Sequence, residues 1–196
     1  MSNRVSLSLT LNKIGLLFAA LLVLMQVISH WYGYLLNFNR PEIMSGDYWR
    51  LISGHFVHLS WIHLALNAVA AYLIYDSFDH NFKNWRFPLY LGLLSLLISI
   101  GLLLFYKTTR TYVGLSGVLH GLLVLGVLAG GRFPRWVLIA LFVGVTAKII
   151  WEQTPYYDEG QIARLIGGPV AEQAHLLGYF SGVIIAVVVR FLGKFR

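Results

Sequence analysis

Six apolar runs separated by short polar segments constrain this chain more than any other feature. They lie at about Ile14–Trp31, Leu59–Tyr75, Pro88–Tyr106, Ser116–Ala129, Trp136–Trp151 and Ala174–Leu192. Runs of this kind read as bilayer-crossing helices. Soluble domains carry about 25% charged residues. A chain that is 58% hydrophobic and 12% charged cannot cover a water-facing surface in the ordinary way. The expected fold class is therefore an all-α polytopic membrane protein built as one six-helix bundle. It spans residues 1–196 as one domain with its core at about 14–192, since no repeat, low-complexity tract or linker divides it. The first run follows Arg4 and Lys13, as in a signal peptide. It lacks a small-x-small cleavage site and further apolar runs follow, so it is expected to be a retained helix.

The net charge of +7 does not point to nucleic acid, because the basic residues sit between the apolar runs. That placement suits topology control and contact with anionic lipid. With the N-terminus inside, nine basic residues fall on the inner side: Arg4, Lys13, Lys83, Arg86, Arg132, Arg135, Arg190, Lys194 and Arg196. Six fall on the outer side: Arg40, Arg50, Lys107, Arg110, Arg164 and, near a helix end, Lys148. The bias favours both termini in the cytoplasm. The chain has no cysteine, which excludes disulfides and thiolate metal sites.

The fourth and fifth runs are shorter than the ~20 residues of a full span. A short fourth helix begins below the membrane surface, so the loop before it dips into the bundle, where protein or a water-filled cavity must surround it. Ser116 stands at that start, in Gly114-Leu115-Ser116-Gly117, both buried and wettable. The flanking glycines leave its hydroxyl uncrowded. A helix starting there aims free N–H groups at any oxyanion. An N-cap serine followed by a small-residue packing surface explains the same four residues equally well.

His55, His58, His63 and Asn67 fall within thirteen residues at the entry to the second run. His63 and Asn67, four apart, share a helix face, while His58 is off that face or still in the loop. His175 opens the sixth run, one turn before Gly178, with Gly182 one turn further on. That small-xxx-small stripe lets another helix come close. If the partner is the fourth helix, His175 reaches Ser116 and can serve as its base. If it is not, the glycines only pack helices and His175 faces water.

Taken in order, Trp49-Arg50, His58-x4-His63-x3-Asn67, Gly114-Leu115-Ser116-Gly117 and Ala174-His175-x2-Gly178-x3-Gly182 resemble the successive signatures of rhomboid intramembrane serine proteases. The resemblance implies a six-helix core and a serine–histidine dyad with no third acidic member. It implies Ser116 as nucleophile, His175 as general base, and the Ser116 N–H with His63 and Asn67 as oxyanion stabilisers. It makes His58 a structural hydrogen-bonder of the first loop and Arg50 a brace for that loop. Neither cofactor nor metal is implied. His120 stands where many rhomboids carry a tyrosine, four residues after the serine. With the small chain, this resembles the rhombosortase branch of bacterial inner-membrane proteases. That branch implies substrates with a C-terminal Gly-Gly motif, a transmembrane helix and a basic tail, and an active site near the outer face. Whether His120 stacks on His175, hydrogen-bonds it or merely fills space stays open.

Two other classes compete. A membrane metalloprotease would need His-Glu-x-x-His, which the chain lacks. A transporter, or a haem protein using His63 and His175 at matched depth, explains intramembrane histidines but leaves Gly-Leu-Ser-Gly without a role. A general rhomboid protease of other single-pass substrates is the nearer alternative. Glycine and aromatic residues around the fifth run make that helix a candidate gate for substrate entry.

Overall fold

The computed structural model describes residues 13–32, 35–82 and 85–193. Its elements are α1 (Lys13–Trp31), β1 (Phe38–Asn39), α2 (Arg40–Met44), α3 (Arg50–Ser53), α4 (Trp61–Ser77), α5 (Asp79–Phe82), α6 (Arg86–Phe105), β2 (Thr111–Tyr112), α7 (Ser116–Ala129), α8 (Arg135–Glu152), α9 (Gly160–Ile166) and α10 (Glu172–Phe191). Each of the six apolar runs becomes one long helix, with ends within two residues of those expected. Among the described residues, α6 and α10 are long and apolar enough by themselves to cross a bilayer. Of the basic residues used to argue topology, Arg4, Lys83, Lys194 and Arg196 lie outside the described residues, as does the Lys13 side chain.

The outward faces of the helices are apolar at helical spacing. On α6, Leu89, Leu93, Leu96, Ile100 and Leu104 are exposed, while Ser95 and Ser99 are fully buried. On α4 the exposed stripe is Ile62, Leu66, Val69 and Leu73, and the buried face holds His63 and Asn67. Apolar faces outward and polar side chains turned inward is the arrangement that hydrocarbon as solvent favours, since polar groups must find partners within the protein.

α7 is the central element and is buried on most sides. It packs against α10 through glycines on both helices. A Cβ on Gly178 would collide with the Gly117 carbonyl, and one on Gly182 with the Gly121 carbonyl. The two backbones therefore touch directly, as the stripe expected, and the partner helix is the one that starts at Ser116.

The loop before α7 is held by the first loop rather than by regular structure of its own. β1 pairs antiparallel with β2 in the register Phe38 to Tyr112 and Asn39 to Thr111. The Gly114 N–H donates to the Gly54 carbonyl at 3.1 Å, and the Tyr112 hydroxyl donates to the Gly114 carbonyl. Arg40 ties the far side of this assembly. Its guanidinium donates to the carbonyls of Leu102, Leu103, Tyr106 and Thr109, satisfying the open end of α6 and the turn after it. In sequence Arg40 counted only as an outer-loop charge. Its capping role depends on contacts more than sixty residues away.

Candidate active site

Ser116 is the first residue of α7, and Leu115 takes the cap position in helical conformation with no side-chain capping bond. The N-cap reading of the serine is thereby corrected, because its hydroxyl points across to α10. His175 Nε2 lies 2.8 Å from Ser116 Oγ, and the imidazole is buried. The contact follows from the glycine packing: Gly117 and Gly178 bring the helix starts together, and Ala174 and His175 stand over Ser116 and Gly117. A Cβ on Gly117 would come within 2.7 Å of the Ala174 carbonyl oxygen.

The resemblance implies no acidic third member, yet a carboxylate stands beside the histidine. His175 Nδ1 lies 3.0 Å from Glu152 Oε2, and Glu152 is 5% exposed at the last turn of α8. Lys148, one turn earlier on the same face, bonds the other carboxylate oxygen, Glu152 Oε1. The sequence carried a signal for this pair. Lys148 and Glu152 are the only charged residues of α8 beyond its first residue, spaced i, i+4 in an apolar helix. An ionisable residue inside a membrane helix calls for a partner or a task. What could not be read from sequence was that the face bearing them turns toward α10.

The open question over His120 is resolved as stacking. Its ring lies on that of His175, with centroids 4.3 Å apart and planes 30° from parallel. His120 Nδ1 donates to the Ser116 carbonyl at 2.8 Å, which leaves Nε2 to accept from Lys148 Nζ at 3.1 Å. His120, Glu152 and His175 offer three donor atoms within 4.8 Å of one another, close enough for a metal ion. An ion there would have to displace the Lys148 ammonium, which already bonds two of the three.

On the opposite side of Ser116 stands α4. Ser60 caps it, its hydroxyl accepting from the His63 N–H at 3.1 Å and donating to the Ile166 carbonyl at 2.8 Å, so α9 and α4 are pinned together. His63 Nδ1 accepts from the Leu59 N–H at 3.4 Å, which places the ring hydrogen on Nε2. The Cε1–Nε2 edge of that ring lies against Gly114, where an added Cβ would sit 2.9 Å from Cε1 and 3.1 Å from Nε2. Gly114 also has φ +118, a conformation that favours glycine. Asn67, below His63 on the same face, keeps its Nδ2 buried with no hydrogen-bond partner among the described residues. His63 thus borders the loop that leads into Ser116, and Asn67 follows it one turn along α4.

His58 departs from its expected role. Neither ring nitrogen has a hydrogen-bond partner among the described residues, and the ring stands edge-on to His63 at 5.0 Å. The backbone of His58 carries the bonds instead, its N–H donating to Gln26 Oε1 at 2.9 Å and its carbonyl accepting from Gln26 Nε2 at 3.1 Å. The reason is that α1 brings an amide, able to donate and accept at once, directly against this turn. In sequence Gln26 is a lone amide in the first apolar run, with nothing local to mark its partner. Arg50 does brace the loop, with Nε on Asp47 Oδ2 at 2.9 Å and Nη1 on the Asn37 carbonyl at 3.1 Å.

A cleft of about 650 Å³ opens beside this constellation. It is lined by Asn37, Asn39, Thr111, Tyr112 and Val113 and by Val170, Ala171 and Glu172, which lead into His175.

Apolar outer faces, polar side chains turned inward and a half-buried serine bonded to a buried histidine of the adjoining helix define a class: a helical membrane bundle with a serine–histidine site. A family model, the Rhomboid domain, matches residues 45–191. The chain belongs to the rhomboid family, whose members are integral membrane proteins and which is known for intramembrane serine proteases. No curated protein matches the chain.

Proposed function

We propose that the chain is an intramembrane serine endopeptidase of the rhombosortase branch. It would cleave exported proteins near a Gly-Gly motif at the outer end of a C-terminal transmembrane helix. The observation that carries the reading is the 2.8 Å contact between His175 Nε2 and Ser116 Oγ at the start of α7. In this reading Ser116 Oγ gives its proton to His175 Nε2 and attacks the scissile carbonyl. The oxyanion is met by the Ser116 N–H, which as a first-turn amide has no intrahelical partner, and by His63 Nε2–H and Asn67 Nδ2–H. His175 then returns the proton to the leaving amine, and water repeats the sequence on the acyl-enzyme.

A haem reading is less economical. It would have to break the bonds that occupy both ring nitrogens of His175. The branch assignment draws on His120 in the place of a tyrosine and on the physics of the substrate. A peptide helix hides its carbonyls in hydrogen bonds, and glycine costs about 1 kcal/mol relative to alanine in a helix. A Gly-Gly pair therefore unwinds more readily and, lacking side chains, fits beside Gly114 and Gly117. A basic tail beyond the helix would fix substrate orientation. The host membrane would be a bacterial inner membrane, with the site near its outer face.

Co-expression with a Gly-Gly-tailed substrate tests both levels. Wild type should process it, and Ser116→Ala and His175→Ala should not, with membrane insertion unchanged and the double variant no worse than either single one. Processing by Ser116→Ala would remove serine catalysis from consideration. Equal processing of a substrate carrying Leu-Leu in place of Gly-Gly would defeat the branch assignment and leave a general rhomboid protease.

A further inference from the structure

Five polar residues, Ser116 among them, close into a single ring of hydrogen bonds. Ser116 Oγ–H donates to His175 Nε2, and His175 Nδ1–H donates to Glu152 Oε2. The Lys148 ammonium bridges Glu152 Oε1 and His120 Nε2, and His120 Nδ1–H returns to the Ser116 carbonyl. Each ring nitrogen has one assignment. A carboxylate and a carbonyl only accept, so both imidazoles carry hydrogen on Nδ1.

We propose that Glu152 is the third member of this site, a positioning residue that holds His175 in the Nδ1–H tautomer and stabilises the imidazolium formed when Ser116 is deprotonated. The proposal rests on the Ser116–His175 reading above. Its physical basis is that a neutral imidazole has one lone pair, and Ser116 can be activated only if that pair is on Nε2. Without a partner at Nδ1 the ring populates both tautomers and is free to turn. With Glu152 at 3.0 Å one tautomer and one orientation are held, and negative charge waits where positive charge develops. Stacking by His120 restricts the ring from its flat side, and Lys148 restrains the carboxylate and His120 together.

The ring also spans three helices. Ser116 and His120 belong to α7, His175 to α10, and Lys148 and Glu152 to α8. α8 buries little else: Val145, Ile149 and Glu152 are its buried residues. Thr146 adds a bond to the Tyr179 hydroxyl of α10 at 2.9 Å, so α8 is held by more than its last turn, but the site is complete only while that turn is in place.

The test uses the full-length protein in detergent with a fluorophosphonate probe that labels an activated serine. Glu152→Gln keeps the shape and removes the charge and the tautomer preference. It should lower the saturating labelling rate strongly, by up to about 10,000-fold, the loss seen when the acid of a serine triad is made an amide. The probe concentration giving half that rate, and the thermal midpoint, should stay near wild type. Glu152→Asp should recover part of the rate. In the His175→Ala background, Glu152→Gln should cause no further loss, because the two act as one unit. A rate within threefold of wild type in Glu152→Gln would overturn the proposal. So would a loss matched by a fall in thermal midpoint, unrecovered by aspartate and additive with His175→Ala, since that pattern marks a structural role alone. Absence of Ser116-dependent labelling in the wild type would instead overturn the protease reading, and this proposal with it.

Discussion

Asn67 places an amide nitrogen in the interior with no hydrogen-bond partner among the described residues. A buried unsatisfied donor costs about 1–3 kcal/mol. Such a donor is useful if its partner exists only during reaction, as a developing oxyanion does. Asn67→Ala should then lower kcat by about 100- to 1000-fold with KM changed far less, while the thermal midpoint holds or rises. Steady-state cleavage by purified wild type and variant checks this, and an unaltered kcat in both Asn67→Ala and His63→Ala would eliminate the oxyanion role. His63 differs from Asn67 in being held by the Leu59 N–H at Nδ1, so its contribution depends on the loop as well as the helix.

At the scale of elements, the contact between α7 and α10 is backbone against backbone and has no slack. Gly178→Ala puts a methyl group into the Gly117 carbonyl, which cannot turn aside as a side-chain end could. Overpacking of this kind costs about 1–3 kcal/mol, and separating the helices also lengthens the Ser116–His175 bond. Gly144, on α8, has nothing within 4 Å of an added Cβ. Gly144→Ala should therefore be neutral or stabilise by up to about 1 kcal/mol. Thermal midpoints in detergent, paired with fluorophosphonate labelling, distinguish the two sites. The first loop carries a different sensitivity. Burial lowers His55 to about 3, and burial, then neighbouring His63, lowers His58 to about 3. Both stay neutral in the fold but take up protons in the unfolded chain near pH 6.5. The unfolded state binds more protons between about 6.5 and 3, so stability is complete above that window and falls as pH drops through it. Each histidine contributes up to about 1.4 kcal/mol per pH unit there. His58→Gln should flatten the acid side of the stability–pH curve by about one such slope, and an unchanged slope would show that His58 is protonated in the fold.

For the whole molecule, the Ser116–His175 end of the bundle and the end bearing Gly130 are built differently. The first is tied by buried bonds and the β1–β2 pair. At the other, His80 Nε2 and Asn81 Nδ2 bond the Gly130 carbonyl at 3.0 and 2.8 Å, and Arg132 pairs with Asp76 at the surface. The nine-to-six distribution of basic residues leads us to propose that this second end faces the cytoplasm. A reporter active only in the cytoplasm, fused after Arg196, should work, and one active only outside should fail there. The reverse result would put Ser116 on the wrong side for exported substrates.

The six long helices were legible in sequence because apolar run length is a local property, and a bilayer leaves a helix as the means of satisfying its backbone. The meeting of α7 and α10 was also legible in part, since Gly178 and Gly182 at helical spacing announce a close approach without naming the partner. The first loop was not legible: α2, α3 and the two-residue β1–β2 ladder are too short to leave a periodic signal. The bonds of Arg40 and Gln26 depend on residues far off in the chain. Glu152 shows the division most clearly. Its presence in an apolar helix, one turn from Lys148, is written in the sequence and demands a partner. That the partner is His175 depends on how α8 is rotated against α10, which only the packing of the bundle decides.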